Sequence, residues 1–189
     1  EGKSDYLRER CELPAHARIA LYIGYLSPGR GLETFIKSAR HLGDKVVLVL
    51  MGPGTEDYRK QLLKLVQQNK VSARVHIVDA VPENEVVNMA SSADIGVSPI
   101  GSQFGNGQFV LNNKLFQYLA AGLPVAASDV IGVGGFVKRE AVGLVFDEND
   151  PKSIADTIDA LLHPEQYDEY RTRALEAARK FAWEKQEEI

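Results

Sequence analysis

A glycine-rich turn near the start of the chain carries the first residues whose types and spacing suit chemistry. Residues 18–26, a mostly apolar segment, run into Ser27-Pro28-Gly29-Arg30-Gly31, and helical spacing begins at Leu32. A helix that starts after such a turn presents unpaired N–H groups and a partial positive charge to an anion. Arg30 could add a bidentate contact to phosphate oxygens. The pattern suits phosphate binding, and a plain strand–helix turn with a solvated arginine explains it equally well.

A second candidate lies in residues 100–114, where Gly, Gln and Asn are frequent and a helix follows. Asn112 or Asn113 suits the N-cap of that helix, because Asn side chains accept hydrogen bonds from first-turn amides. The other first-turn amides would point at an anion, and Lys114 could neutralise it. Gln117 lies one turn further and could bind a ribose hydroxyl. Taken alone, a flexible loop before a capped helix explains this segment better.

Other constellations argue against several classes of site. The acidic run 147–150 is best explained by Asp150 as a helix N-cap before Pro151, and no Asp-x-Asp pair occurs to hold a metal-bound diphosphate. The sequence contains no nucleophile elbow, no P-loop and no Gly-x-Gly-x-x-Gly after the first strand. The four histidines lack metal-ligand spacing. We therefore expect no metal and no cofactor, and we assign no catalytic residue within this chain.

The apolar pattern predicts a sheet that positions these candidates. Strands are predicted over residues 18–26, 46–51, 74–78, 93–99, 124–128 and 143–146, with helices between them and a long helical region after 151. Several strands are apolar without alternation, as strands buried on both faces are. The predicted fold is α/β, a doubly wound Rossmann-like parallel sheet of about six strands with helices on both faces. Ligands of such folds bind beyond the carboxyl ends of the strands.

Composition limits the class of protein further. The 189 residues fit one domain, and the net charge of −4 argues against a general nucleic-acid binder. The longest apolar run, residues 46–51, is far shorter than the roughly 20 residues of a membrane-spanning helix. A single cysteine, Cys11, excludes an internal disulfide and agrees with a reducing compartment. The chain opens abruptly without a signal peptide pattern, so we expect a piece of a longer protein.

Several segments, in order, resemble one protein family. They are Leu7–Pro14, Gly24–Leu32, Val49–Gly54, Val81–Glu85, Ser92–Pro99, Asn113–Ser128, Gly143–Phe146 followed by Asp150-Pro151, and Phe181–Glu184. Together they resemble the retaining glycosyltransferases of GT-B fold whose bacterial members are called group 1 glycosyltransferases. The likeness covers essentially the whole chain, and its specificity comes from the ordered set.

The resemblance implies a division of labour between two Rossmann-like domains. This chain would be the C-terminal half, a single domain that binds a nucleoside-diphosphate sugar. Residues 1–16 would be the inter-domain lead-in, residues 17–163 the Rossmann-like core and residues 164–189 the C-terminal helices. An N-terminal domain, absent from this sequence, would bind a glycan, lipid or small-molecule acceptor. The expected activity of the whole protein is hexosyl transfer in carbohydrate biosynthesis. We expect it in the cytoplasm, with any inner-membrane attachment made by the missing half.

The same resemblance assigns roles in binding a UDP or GDP sugar without metal. Arg30 would contact the diphosphate, Gln117 would reach the ribose, and the base would lie near Val81. Backbone amides of residues 112–115 would meet phosphate and sugar. The full set of predicted donor-binding residues is Tyr25, Arg30, Gly52, Val81, Asn112, Asn113, Lys114, Leu115 and Gln117.

The chain departs from the family pattern at a few of these positions. The family often has arginine at Tyr25 and lysine at Arg30, and its two signature glutamates would fall on Phe109 and Gln117. Whether these changes reduce activity stays open. A catalytically inactive GT-B-like binding module and a sugar-nucleotide epimerase of the same fold are the alternatives. A flavodoxin-like signalling domain is disfavoured, because the first strand ends in Gly24-Tyr25 without an acidic pair.

Overall fold

Six parallel strands form one sheet in the computed structural model, which describes residues 4–101, 109 and 111–187. The strand order is β3-β2-β1-β4-β5-β6, and every neighbouring pair is parallel. The strands are β1 (Arg18–Ile23), β2 (Val46–Met51), β3 (Val75–Val78), β4 (Ile95–Ser98), β5 (Val125–Ser128) and β6 (Gly143–Phe146). The order reverses between β1 and β4, so the crevice for a ligand lies above these two strands.

Helices cover both faces of this sheet, which confirms the predicted doubly wound α/β fold. They are α1 (Tyr6–Arg10), α2 (Leu32–Ser38), α3 (Glu56–Gln68), α4 (Val86–Ala90), α5 (Asn113–Ala120), α6 (Val133–Glu140), α7 (Pro151–Leu161) and α8 (Pro164–Glu187), with a 3₁₀ turn at Glu83–Glu85. Buried apolar side chains of α1, α4, α5, α6 and α8 pack on one face, and those of α2, α3 and α7 pack on the other. Because both faces are covered, every residue of β2 is buried, as its continuous apolar sequence predicts.

The ends of several helices follow the sequence-based expectations. Thr55 accepts a hydrogen bond from the Tyr58 amide at 3.3 Å, and Asp150 accepts one from the Lys152 amide at 2.8 Å. Both are N-caps, and Pro151 occupies the first turn of α7. The acidic run at 147–150 is therefore explained in part by capping. Among the described residues, no group of three or more His, Cys, Asp or Glu side chains could hold a metal ion.

Three elements differ from the sequence-based expectations. The first strand ends at Ile23 rather than at residue 26, because Gly24 turns the backbone with a φ of 144°. Helix α6 was not predicted, since its two glycines disfavour a helix. Burial of Val133, Phe136 and Val137 against the sheet outweighs that cost. The short helix α1 also went unpredicted. No helix within the described ranges is long and apolar enough to cross a membrane.

A charge network around Asp94 lies at the amino ends of the strands, here called the amino edge of the sheet; the opposite ends form the carboxyl edge. This carboxylate is 1% exposed and accepts a hydrogen bond from the Ile19 amide at 2.8 Å. Arg8 of α1 and Arg18 of β1 each pair with it at 3.4 Å. Tyr167 of α8 donates to the Asp94 carbonyl at 3.2 Å, and its ring lies under the Arg18 guanidinium at 4.8 Å. The network ties the lead-in segment and the C-terminal helix to the core.

Candidate functional site

Two glycine turns meet at the carboxyl ends of β1 and β2. The Gly24 amide donates to the Met51 carbonyl at 3.0 Å, and the Leu26 amide donates to the Pro53 carbonyl at 2.7 Å. Gly52 has a φ of 154°, and a Cβ there would lie 1.9 Å from the Gly24 carbonyl oxygen. Only glycine fits this position, since any side chain would collide with the adjacent turn. The predicted residue Gly52 therefore brings the two turns together.

The Arg30 turn is held over the switch point of the sheet. The Gly101 amide, which follows β4, donates to the Gly29 carbonyl at 3.0 Å. Arg30 donates from Nε to the Ser27 hydroxyl at 3.2 Å within the same turn. These bonds place the Arg30 side chain at the crevice between β1 and β4, where ligands of doubly wound folds bind.

Helix α5 begins above the same crevice. Asn112 is its N-cap, because its Oδ1 accepts from the Leu115 amide at 3.2 Å, and its Nδ2 donates to the Ser98 hydroxyl at 3.2 Å. The Leu115 amide is thus used by the cap, and the Leu115 side chain is fully buried in the core. The amides of Asn113 and Lys114 have no carbonyl partner inside the helix, so they are the first-turn donors that can face a ligand.

A buried tyrosine sets the position of α5. The Tyr118 hydroxyl accepts from the Ile23 amide at 2.9 Å and donates to the Val97 carbonyl at 3.0 Å. Gly96 makes room for the ring, since a Cβ there would lie 2.3 Å from it. Burial raises the pKa of Tyr118 well above its ordinary value, so the hydroxyl keeps its proton. Tyr118 joins α5 to both strands of the switch point and thereby places Lys114 one turn earlier.

Lys114 places a buried amine at this point. Lys114 is only 7% exposed, and its Nζ lies 4.0 Å from the centroid of the Tyr22 ring. Burial, together with the charge of nearby Arg30, lowers the pKa of Lys114 from its ordinary value to about 7. No carboxylate in the described part of the chain contributes to this shift. A buried amine beside a second cation is suited to receive an anion.

Tyr22 of β1 contacts both cations. Its hydroxyl donates to the Tyr25 carbonyl at 3.0 Å and accepts a hydrogen bond from Arg30. Burial raises the pKa of Tyr22 to about 12, although the charge and hydrogen bond of Arg30 act in the opposite direction. The phenol is therefore neutral at physiological pH. Arg30 and Lys114 meet around one uncharged side chain at the carboxyl end of β1.

Most of the predicted donor-binding residues lie near the carboxyl ends of β1, β2 and β4, whereas Val81 follows β3. The residues that follow these strands in the chain or lie at the start and in the first turns of α5 are Tyr25, Arg30, Gly52, Asn112, Asn113, Lys114, Leu115 and Gln117. Val81 follows β3 at the side of the sheet and is half-buried against the core. Phe109 is 63% exposed, and the neighbouring residues 102–108 and 110 lie outside the described residues. The roles assigned to these residues remain predictions.

Sequence reasoning missed the two tyrosines that organise the edge. Tyr22 lies in β1, whose residues after Arg18 form a continuous apolar run, and nothing there distinguishes a residue with a polar contact from one that fills the core. Tyr118 lies four residues after Lys114 on α5, and this spacing places both on one helix face. That spacing was the available signal for Tyr118, whereas the sequence carried none for Tyr22.

The fold and the cation pair define a class of protein: a Rossmann-like domain whose switch point is suited to an anionic ligand. Within that class, the sequence model of the family Glycosyl transferases group 1 matches residues 4–181. The chain belongs to this family. The family that the sequence motifs resemble is thereby confirmed.

Individual relatives agree with the family. The chain is similar to the D-inositol 3-phosphate glycosyltransferase of Corynebacterium efficiens, with 31% identity over 93% of this chain and 42% of the relative. The chain spans less than half the length of the curated relatives that it matches.

Two solved structures show the same fold. HepE of Anabaena, in complex with UDP-glucose, has a TM-score of 0.80 and 17% identity, covering 93% of this chain and 47% of that one. The C-terminal domain of the group 1 glycosyl transferase LpcC from Francisella tularensis has a TM-score of 0.70 and 18% identity. That likeness covers 92% of this chain and 87% of the LpcC domain, so the chain has the fold of a C-terminal glycosyltransferase domain.

Proposed function

We propose that this chain binds the nucleoside-diphosphate sugar of a retaining glycosyltransferase, which transfers a hexosyl group to an acceptor. The acceptor, a glycan, lipid or small molecule, would be held by residues outside this sequence, since the relatives are more than twice as long. A UDP sugar is the first donor to test, because HepE, a protein of the same fold, has been seen in complex with UDP-glucose. GDP sugars are the second.

One observation carries the proposal: Lys114 is buried beside Arg30 at the switch point of a doubly wound sheet. Holding a protonated amine in a buried position beside a second cation costs free energy unless an opposite charge compensates it. A diphosphate supplies that charge and carries oxygens for both side chains. The amides of Asn113 and Lys114 add donors at the positive end of α5.

This arrangement would assist the transfer by stabilising the leaving group. The bond between the anomeric carbon and the diphosphate oxygen breaks, and the nucleoside diphosphate leaves with the electron pair. The sugar passes through an oxocarbenium-like state, and an acceptor hydroxyl bonds through its oxygen to the anomeric carbon and releases its proton. Arg30 and Lys114 would face the growing negative charge of the diphosphate, so they would lower the barrier without reorganising.

The proposal includes neither a metal nor a cofactor. The two cations of the edge, Arg30 and Lys114, would do the work that a divalent ion does in other diphosphate sites. We propose a cytoplasmic location, with which the single free Cys11 agrees. Gln117 would bind the ribose as a neutral partner, in place of the glutamate that the family often has.

The two alternatives are not favoured. The named relatives and solved neighbours are described as glycosyltransferases, which argues against a sugar-nucleotide epimerase. An inactive binding module would keep the fold, yet selection for mere packing would not require Lys114 to be buried beside a second cation. A module that no longer binds a nucleoside diphosphate would fail the titration below, which separates it from the proposed function.

Calorimetric titration of UDP, GDP and ADP into the chain, with a chelator present, tests the proposal. We expect one diphosphate to bind, and Arg30→Ala to weaken it by about 10- to 100-fold, the cost of a charged hydrogen bond. Arg173→Ala is the matched control, because it removes an exposed arginine of α8 that pairs with Glu169. The control should bind as the unchanged chain does. Absence of binding to a folded sample would overturn the proposal.

A further inference from the structure

The Tyr22 side chain contacts both Lys114 and Arg30 of the proposed site. Tyr22 is fully buried at the end of β1, with its ring face 4.0 Å from Lys114 Nζ and its hydroxyl in a hydrogen bond with Arg30. The same hydroxyl donates to the Tyr25 carbonyl at 3.0 Å, which fixes the direction of its proton. Its lone pairs therefore remain available to the guanidinium.

We propose that Tyr22 is a positioning residue of the nucleotide-binding site. Its ring supports the ammonium group of Lys114, and its hydroxyl orients the guanidinium of Arg30, so that both cations face one diphosphate. This inference rests on the proposed function and adds to it a residue that contacts no substrate.

The chemistry of a phenol explains why a tyrosine serves here. Two like charges in a buried site repel each other, so each long side chain would turn away from the other unless it is held. A carboxylate could hold them, but it would cancel their charge and compete with the phosphates. The face of an aromatic ring attracts a cation without neutralising it, and a neutral hydroxyl accepts from an arginine without removing its charge. Tyr22 thus fixes both cations and leaves their charge for the ligand.

The local backbone supports the same arrangement. A Cβ on Gly24 would lie 3.1 Å from the Tyr22 hydroxyl and 3.2 Å from Lys114 Nζ, so the phenol and the amine approach the turn from the same side. The turn thereby closes over both groups at the carboxyl end of β1. Tyr22 cannot shift without moving the Tyr25 carbonyl that it bonds.

Two substitutions separate the contributions of the ring and the hydroxyl. Tyr22→Phe keeps the ring under Lys114 and loses the hydrogen bond with Arg30, whereas Tyr22→Leu loses both. We expect the Kd for UDP to rise by about 3- to 10-fold in Tyr22→Phe and by about tenfold or more in Tyr22→Leu. Tyr167→Phe is the matched control, because its hydroxyl bonds a backbone carbonyl at the opposite edge. It should leave the Kd unchanged.

A double-mutant cycle distinguishes positioning from mere packing. If Tyr22 acts through Arg30, then Tyr22→Phe has no further effect on the Kd in an Arg30→Ala background. A purely structural role predicts the same loss in both backgrounds, and that result would overturn the inference. Equal UDP affinity in the unchanged chain and in Tyr22→Phe would also overturn it while leaving the proposed function intact. Failure of the unchanged chain to bind any nucleoside diphosphate would instead overturn the proposed function, and the inference with it.

Should Tyr22→Leu fail to fold, as thermal unfolding would show, Tyr22→Phe and the cycle still decide the question. Uridine provides an independent readout, because it lacks the phosphates that the two cations would face. We expect Tyr22→Phe to leave uridine binding unchanged while UDP binding weakens. An equal loss for both ligands would contradict a role directed at the diphosphate.

Discussion

The two edges of the sheet each bring a pair of cations to strands β1 and β4, and each sets one cation against a tyrosine ring. At the amino edge, Arg18 lies over Tyr167, and at the carboxyl edge Lys114 lies over Tyr22. The edges differ in their anions. Asp94 pairs with both arginines of the amino edge. No carboxylate of the described chain contributes to the field at Lys114.

This difference in anions distinguishes the amino edge, a structural network, from the carboxyl edge, a candidate binding site with similar side chains. At the amino edge, the opposite charges are covalently part of the chain, so the network is complete in the free protein. At the carboxyl edge, the free protein bears the cost of gathering like charges. Such a cost is expected where the compensating group is a ligand. Removing charges from the two edges should therefore have opposite consequences for folding and for binding.

The largest expected effect on stability belongs to the amino edge. Asp94→Ala leaves two arginines without their partner and the Ile19 amide without its acceptor. We expect the free energy of unfolding to fall by about 3 kcal/mol, as when a buried pair is broken. Urea unfolding followed by circular dichroism measures it, with Asp156→Ala of the exposed Lys152 pair as the control. A loss under about 1 kcal/mol would contradict a structural role for Asp94, and UDP affinity of the folded variant should be unchanged.

Removing a charged group from the carboxyl edge should weaken nucleotide binding rather than lower stability. Lys114→Met removes a buried charge that no acid compensates, so we expect the free energy of unfolding to stay level or rise. The Kd for UDP should increase by about 10- to 100-fold, because a charged hydrogen bond to phosphate is lost. Paired unfolding and calorimetric measurements test both halves, with the exposed Lys152→Met as control. A large loss of stability with intact binding would reverse the comparison.

The pH dependence of stability sharpens the contrast. Burial, aided by Arg30, lowers the pKa of folded Lys114 to about 7 from 10.5, so between these values the unfolded chain binds more protons. Stability attributable to Lys114 must therefore rise with pH across this window, by about 1.4 kcal/mol per pH unit at most. The destabilisation is fully present below pH 7. Unfolding curves at pH 7, 8 and 9 should show this rise in the unchanged chain and not in Lys114→Met, and parallel curves would contradict it.

The smallest effect is expected at an exposed pair of the carboxyl edge. Lys138 of α6 lies 2.5 Å from the Asp129 carboxylate, and both side chains are about half exposed. Water screens such pairs, so Lys138→Ala should change the free energy of unfolding by about 0.5 kcal/mol or less. UDP affinity should be unchanged, as titration can verify. A clear loss of affinity would mean that the site extends to the turn after β5.

Much of the fold could be predicted from local pattern. Unalternating apolar runs such as Val46–Met51 identify buried parallel strands, and Thr55, Asp150 and Pro151 mark helix starts by their own chemistry. Helix α6 could not be predicted, because its stability comes from burial on the sheet rather than from its glycine-containing sequence. A local sequence pattern predicts secondary structure where the residues have a strong intrinsic preference, and tertiary packing determines it where that preference is weak.

The candidate site was predictable in its location but not in its electrostatics. Glycine turns after strands identify the edge, and Arg30 and Lys114 are visible there as residue types. The burial of Lys114 and its contact with Tyr22 depend on where α5 lies over β1, which Tyr118 sets through the Ile23 amide and the Val97 carbonyl. Such long-range contacts have no signature in a single sequence.

Proton uptake on nucleotide binding tests most directly whether Lys114 at the carboxyl edge binds the diphosphate. Calorimetric titration of UDP at pH 8, in two buffers of different ionisation enthalpy, measures the protons exchanged. If a diphosphate compensates the buried amine, the pKa of Lys114 rises on binding and the chain takes up a proton, an uptake that Lys114→Met abolishes. Binding without proton uptake, or equal uptake in Lys114→Met, would contradict the account of this edge as the site where Lys114 meets the diphosphate.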